Sequence, residues 1–294
     1  MNTSEESIRS PSLRKPRDEE IDVYGVTHVG KVRAENQDHF LIASLHKQMR
    51  VHQTSLDPGG LSATETERLA FLMMVADGVG GGMAGEEASR YALEAIAEYV
   101  TNSTHCYYTA DATDDDAFRR TLEAAALQAH ETLNQRSTEN AARRGMATTL
   151  TLFIGVWPRA YLLQVGDSRY YMLRHGTLTQ VTRDQTMAQE LIDLGVLRRN
   201  DKQVERFTHV LSSAIGGTQT APVVTGIEND WGAVHLMCSD GLTKHVSDER
   251  IRERLMSATS SKQASEALLQ DALDGGGRDN ITLIVGRVVR KDEG

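Results

Sequence analysis

Short apolar runs broken by turn residues begin at Val23 and predict strands at Val23 to Val29, Phe40 to Ser44 and Leu69 to Ala76. The period then changes. From Ala84 to Val100 the residues Ala88, Tyr91, Ala92, Ala95, Ile96 and Tyr99 recur at three- and four-residue spacing, with Glu86, Glu87 and Arg90 off the stripe. That spacing predicts an amphipathic helix with acids in its first turn, where the helix dipole favours them. A second helix is expected from about Asp115 to Gln135, faced by Phe118, Leu122, Ala125, Ala129 and Leu133. Closely spaced strands follow at Ala147 to Val156, Ala160 to Val165, Arg169 to Arg174 and Leu178 to Val181, and their short connections imply antiparallel pairing.

After these strands the pattern loosens into a surface flap over about residues 183–217, with a short helix at Met187 to Leu194. Strands return at Val223 to Ile227 and Val234 to Met237, then helices near Asp248 to Ser257 and Lys262 to Leu273, then a last strand at Ile281 to Val289. Strands and helices are grouped rather than strictly alternating, so a layered α+β domain fits better than a doubly wound one. Residues 1–20 are polar and aperiodic and read as a flexible leader, which leaves one domain over about 21–290. Within it, a polar stretch at about 46–68 carries the turn Asp57-Pro58-Gly59-Gly60 and reads as an insertion.

Composition narrows the class. Of the 294 residues 39% are hydrophobic and 25% charged, enough apolar material for a sizeable core. The longest apolar run, Leu69 to Ala76, falls far short of the roughly 20 residues a membrane span needs. The first twenty residues are charged and lack an apolar stretch, so the expected location is cytoplasmic. Two cysteines, Cys106 and Cys238, cannot build a disulfide framework or a thiolate zinc site, and neither has an arginine six residues on to make a thiolate phosphatase. A net charge of −9 disfavours nucleic acid as a partner. It does not exclude a phosphate ligand, because bound divalent cations can reverse the local sign.

Five aspartates share an uncommon placement. Asp77 and Asp240 each end an apolar run and precede a glycine, Gly78 and Gly241; Asp167 ends another run; Asp38 and Asp279 stand just before strands. Taken singly, such residues are turn or helix-cap signals. Five of them at the ends of buried strands would repel one another unless cations compensate, and oxygen-only ligation suits Mg²⁺ or Mn²⁺. Two such ions could activate a water and polarise a phosphoryl group. Arg33, five residues before Asp38, is the residue type that grips a phosphate bidentately.

The segments Gly30-x-x-Arg33-x-x-Asn36-Gln37-Asp38, Val75-Ala76-Asp77-Gly78-Val79-Gly80-Gly81, Ala147-Thr148-Thr149-Leu150, Val165-Gly166-Asp167-Ser168-Arg169, Cys238-Ser239-Asp240-Gly241 and Gly277-Arg278-Asp279-Asn280 occur in that order. In this the chain resembles metal-dependent protein serine/threonine phosphatases of type 2C, in their bacterial form, over about residues 22–289. The resemblance implies a four-layer α/β/β/α sandwich, two mainly antiparallel sheets flanked by helix pairs, with a dinuclear Mg²⁺ or Mn²⁺ centre at one end. It implies that Asp77 bridges two ions, that Asp240 and Asp279 complete one site, and that Asp38 and the Gly78 carbonyl serve the other. Asp167 would join Asp240 at a possible third ion, Arg33 would hold the substrate phosphate, and Asn280 would support the ligands. The implied reaction is hydrolysis of phosphoserine and phosphothreonine by direct attack of a metal-activated hydroxide. The implied partners are phosphorylated proteins in signalling, including a serine/threonine kinase or its substrates.

Departures and rival readings complete the picture. Val79 stands where eukaryotic relatives place a histidine thought to protonate the leaving group, and the flap begins Thr182-Arg183-Asp184-Gln185-Thr186 rather than Asp-His-Ser. Gly25-x-x-x-x-Gly30-Lys31 lacks the Ser/Thr of a P-loop. Gly80-x-Gly82-x-x-Gly85 matches a dinucleotide fingerprint formally, but no βαβ unit closes around it. Asp114-Asp115-Asp116 reads as a helix start, and His39 as a packing or surface residue on the face opposite Asp38. A catalytically silent phosphatase-like regulator is the alternative; loss of a metal aspartate or of Arg33 would favour it, and all are present.

Overall fold

Alternation within one strand explains how this chain builds layers. In the strand Arg68–Val79, the side chains of Leu72, Met74 and Ala76 join one apolar cluster and those of Met73 and Val75 join another. Successive side chains leave opposite faces of a strand, so a run apolar at every position marks a strand covered on both sides. The strand at Ile281–Val288 behaves the same way, sending Ile281, Leu283 and Val285 to one side and Ile284 to the other.

The computed structural model describes residues 14–46, 68–80, 83–103 and 115–291. Residues 1–13, all of the expected insertion but its two end residues, Gly81, Gly82, Cys106 and Asp114 lie outside them. The strands are β1 (Ile21–His28), β2 (Asp38–His46), β3 (Arg68–Val79), β4 (Ala147–Thr148), β5 (Leu150–Val156), β6 (Arg159–Val165), β7 (Arg169–Arg174), β8 (Thr177–Gln180), β9 (Val223–Glu228), β10 (Val234–Cys238) and β11 (Ile281–Val288). The α-helices are α1 (Met83–Asn102), α2 (Asp115–Glu139), α3 (Met187–Asp193), α4 (Asp240–Thr243), α5 (Asp248–Ser257) and α6 (Ser261–Asp274).

Two antiparallel sheets result, in the orders β1-β11-β10-β7-β8 and β2-β3-β5-β6-β9. One core lies between the second sheet and α1 and α2, another between the first sheet and α4 to α6, and a third, containing Met73, Phe153, Leu162, Tyr170, Met237 and Ile284, between the sheets. The layers are therefore helix, sheet, sheet, helix, as the resemblance implies.

Two expectations need correction. Ala147 to Val156 is not one strand: β4 pairs with Gly78 and Val79 at the end of β3, whereas β5 pairs with Phe71 to Val75. The break falls at Thr149, whose N–H donates to the Asp77 carbonyl and whose Oγ1 accepts from the Asp77 N–H. Residues 14–20, expected within the flexible leader, are docked on the domain. Glu20 is buried and accepts hydrogen bonds from Arg14 at 2.7 and 2.8 Å, and Arg68 pairs with Asp18. A carboxylate is tolerated inside when a guanidinium comes with it.

Candidate metal centre

Strand register does the first part of the assembly. Asp38 opens β2 directly opposite Asp77 on β3, which makes the two carboxylates cross-strand neighbours. Asp240 follows β10 as the first residue of α4, Asp279 precedes β11, and Asp167 lies in the turn from β6 to β7. The ends of both sheets thus bring the five acids to one end of the sandwich. Asp77, Asp167, Asp240 and Asp279 line a cleft of about 230 Å³ together with Arg33, Gly78 and Asn280. Asp38 is buried next to them.

Each acid feels its neighbours. Burial, then the charges of Asp38, Asp240, Asp167 and Asp279, drives the Asp77 carboxyl well above the ordinary range. Burial raises Asp38 to about 6 against the hydrogen bond that Ser239 Oγ donates to Oδ2 at 2.7 Å. Burial and the charge of Asp240 raise Asp167 to about 7. Asp279 moves the other way: burial would raise it, but hydrogen bonds from Lys244 and Arg33 hold it down. Among the described residues Asp38 Oδ1 is buried with no hydrogen-bond partner. An orphaned carboxylate oxygen among other raised carboxylates is the signature of a missing positive charge, and the all-oxygen donor set fits a hard divalent cation.

Among the described residues no three acidic, histidine or cysteine side chains converge closely enough to hold an ion as they stand. Side-chain cations hold part of the cluster instead. Lys244 Nζ is 2.6 Å from Asp240 Oδ2 and 2.8 Å from Asp279 Oδ2, and Arg33 Nε is 2.8 Å from Asp279 Oδ1. Lys244 was not anticipated in the sequence, although it stands four residues after Asp240, one helical turn away.

Surrounding groups fix the acids. Asn280 accepts from the Gln37 N–H through Oδ1 and donates through Nδ2 to the carbonyls of Val29 and Glu35, each at 2.9 Å, tying the arginine loop to β11. Thr149 Oγ1 and Ser168 Oγ lie 2.7 Å apart, linking the Asp77 backbone to the turn that carries Asp167. Gly78 and Gly241 admit no side chain: a Cβ on Gly78 would overlap the Gly85 carbonyl, and one on Gly241 the Asn280 carbonyl. Thr149, Ser168 and Ser239 sit inside the quoted motifs, but nothing in the motifs alone distinguishes a supporting hydroxyl from a spacer.

The flap is anchored beside the same turn. Arg169 grips Asp184 bidentately at 2.9 and 2.7 Å, and Gln185 exchanges hydrogen bonds with Gly166. From its far end His209 and Leu211 line the cleft. His39 faces away, with Nδ1 3.0 Å from Ser89 Oγ on α1. Cys238 is buried and its thiol is pushed up to about 12 by burial, so it offers no thiolate. The dinucleotide reading fails on topology, since β3 is antiparallel to both β2 and β5.

The family model for protein phosphatase 2C matches residues 55–275. The chain belongs to the protein phosphatase 2C family. It is 35% identical over 225 residues to the serine/threonine protein phosphatase PstP of Mycobacterium tuberculosis, covering 76% of this chain and 42% of that protein. The chain therefore spans less than half the length of that relative. The crystal structure of the M. tuberculosis PstP phosphatase superposes with a TM-score of 0.72 at 29% identity, over 92% of this chain and 99% of that one. A structure of the PstP catalytic domain in complex with two manganese ions matches at 30% identity with a TM-score of 0.68, again over 92% and 99%.

Proposed function

We propose that this chain is a Mg²⁺- or Mn²⁺-dependent hydrolase of phosphoserine and phosphothreonine in proteins. The observation that carries the proposal is the cluster itself: five carboxylates in mutual range, one with an orphaned buried oxygen, beside a cleft that an arginine also lines. Membership of the phosphatase family and the two manganese ions of PstP support it.

In this reading Asp77, Asp240 and Asp279 would hold one ion, and Asp77, Asp38 and the Gly78 carbonyl would hold the other. Asp167 with Asp240 would take a third ion. Ions bound there supply Lewis-acid polarisation of phosphoryl oxygens and a lowered pKa for water. Arg33 receives and orients the phosphate, with 55% of its side chain exposed toward incoming substrate. Asn280 keeps the arginine loop in register with Asp279, and the packed, glycine-lined backbone at Gly78 keeps the β3 end rigid. The buried, neutral Cys238 thiol contributes no nucleophile, and the reading takes water as the attacking group, as the family resemblance implies.

The reading extends to a role in cytoplasmic signalling, with phosphorylated proteins, including a serine/threonine kinase or its substrates, as partners. The unpaired thiol of Cys238 is compatible with a reducing compartment. Among the described residues no helix is long and apolar enough to cross a membrane. Hydrolysis of 4-nitrophenyl phosphate and of a phosphothreonine peptide with Mn²⁺, with and without chelator, tests the proposal. Both activities should vanish with chelator and in Asp77→Asn. Activity that survives either treatment refutes it, and binding of phosphopeptide without turnover would favour the silent regulator.

A further inference from the structure

The acid cluster is not uniformly open. Both oxygens of Asp279 are engaged by the chain's own cations, Oδ2 by Lys244 Nζ at 2.8 Å and Oδ1 by Arg33 Nε at 2.8 Å, and Lys244 also reaches Asp240 Oδ2 at 2.6 Å. On the other side Asp38 keeps a buried oxygen with no partner among the described residues. One half of the cluster therefore keeps an unpartnered carboxylate oxygen and the other half is paired with two side-chain cations. A dication and an ammonium on the same pair of carboxylates repel strongly at a few ångströms. The lysine has somewhere to go: its side chain is 29% exposed, ends a flexible four-carbon stem, and lines the cleft along with Arg33.

Resting on the phosphatase reading above, we propose that Lys244 is a tethered counter-ion at the Asp240–Asp279 half of the centre. Divalent ions fill the Asp38–Asp77 half first, and filling the second half releases Lys244 and Arg33 together toward the substrate phosphate. Lys244 then serves as a point charge beside the bidentate guanidinium. Phosphate affinity is coupled to ion loading through these two side chains, and the coupling is reciprocal, so phosphate also tightens the second ion.

The test is Mn²⁺ binding to the full chain, read from the electron paramagnetic resonance of free Mn²⁺, in wild type, Asp77→Asn, Lys244→Met and Lys244→Arg. Two sites in wild type that are lost in Asp77→Asn establish the ion centre; their absence in wild type overturns the phosphatase reading and this inference with it. Given two sites, Lys244→Met should tighten the weaker one about tenfold or more, the worth of a charge-assisted hydrogen-bond pair, and move the stronger one by less than about threefold. Lys244→Arg should keep the wild-type gap. Inorganic phosphate binding to the Mn²⁺-loaded protein, followed by calorimetry, should weaken about tenfold in Lys244→Met. Equal tightening of both ion sites, or none, overturns the competition while leaving the ion centre intact. Phosphate affinity unchanged or improved in Lys244→Met overturns the release toward substrate.

Discussion

Gly78 and Gly241 follow their aspartates in the same dipeptide, which taken singly signals only a turn. The structure gives a steric reason instead. Each glycine lets a neighbouring carbonyl come so close that a single added carbon has no room, Gly85 against Gly78 and Asn280 against Gly241. Gly78→Ala should therefore lower unfolding free energy by about 1–3 kcal/mol in urea, because backbone on both sides must shift to admit the methyl; a cost below about 0.5 kcal/mol, typical of an open surface site, would contradict the packing. At this scale the sequence is informative about charge and silent about partners. An aspartate at the edge of an apolar run is conspicuous, whether it closes the run as Asp77 does or precedes it as Asp279 does, and all five positions singled out on that basis lie at one end of the fold. Lys244 and Ser239 are ordinary residues in ordinary places, and only folding sets one across Asp240 and Asp279 and the other against Asp38.

At the scale of elements, periodicity finds strands and helices because burial imposes it, and it finds them here to within a few residues. Interruptions within a strand carry no such signal. The continuous pattern from Ala147 to Val156 conceals the interruption at Thr149, because both pieces are buried and both pair with β3 in one register. The four-residue helix Asp240–Thr243 is too short to show a period at all. The flap illustrates a further limit: its polarity is legible, but its anchor is an ion pair between Arg169 of one motif and Asp184. Arg169→Lys keeps the charge and loses the bidentate fork. It should raise the rate of limited proteolysis within 187–217 about tenfold while shifting global unfolding little, since the loss of a charge-assisted bond falls on local opening. An unchanged cleavage rate would contradict the anchoring.

For the whole molecule, the sandwich gathers more negative charge at one end than its internal cations neutralise. Folding raises Asp38 to about 6, Asp167 to about 7 and Asp77 well above its ordinary value, so between pH 4 and 7 the folded chain binds more protons than the unfolded one. Stability from these groups is complete below the unfolded carboxylate pKa and is lost as pH rises through 6 to 7. Asp279 does not offset the trend, because its pKa is lowered and it stays ionised over that range. Stripped of divalent ions, the protein should melt at a lower temperature at pH 8 than at pH 5. Added Mn²⁺ should raise the melting temperature more at pH 8, where the carboxylates are free to bind it. A stripped protein that grows more stable from pH 5 to pH 8 would contradict the raised carboxylates.

The measurement that reaches the centre most directly is anomalous diffraction at the manganese edge from crystals of this chain soaked in MnCl₂. Two strong peaks should appear between Asp38, Asp77, Asp240 and Asp279, with Lys244 moved off both carboxylates. A soaked crystal with no peak among these residues, or with manganese bound only at the protein surface, would contradict the account.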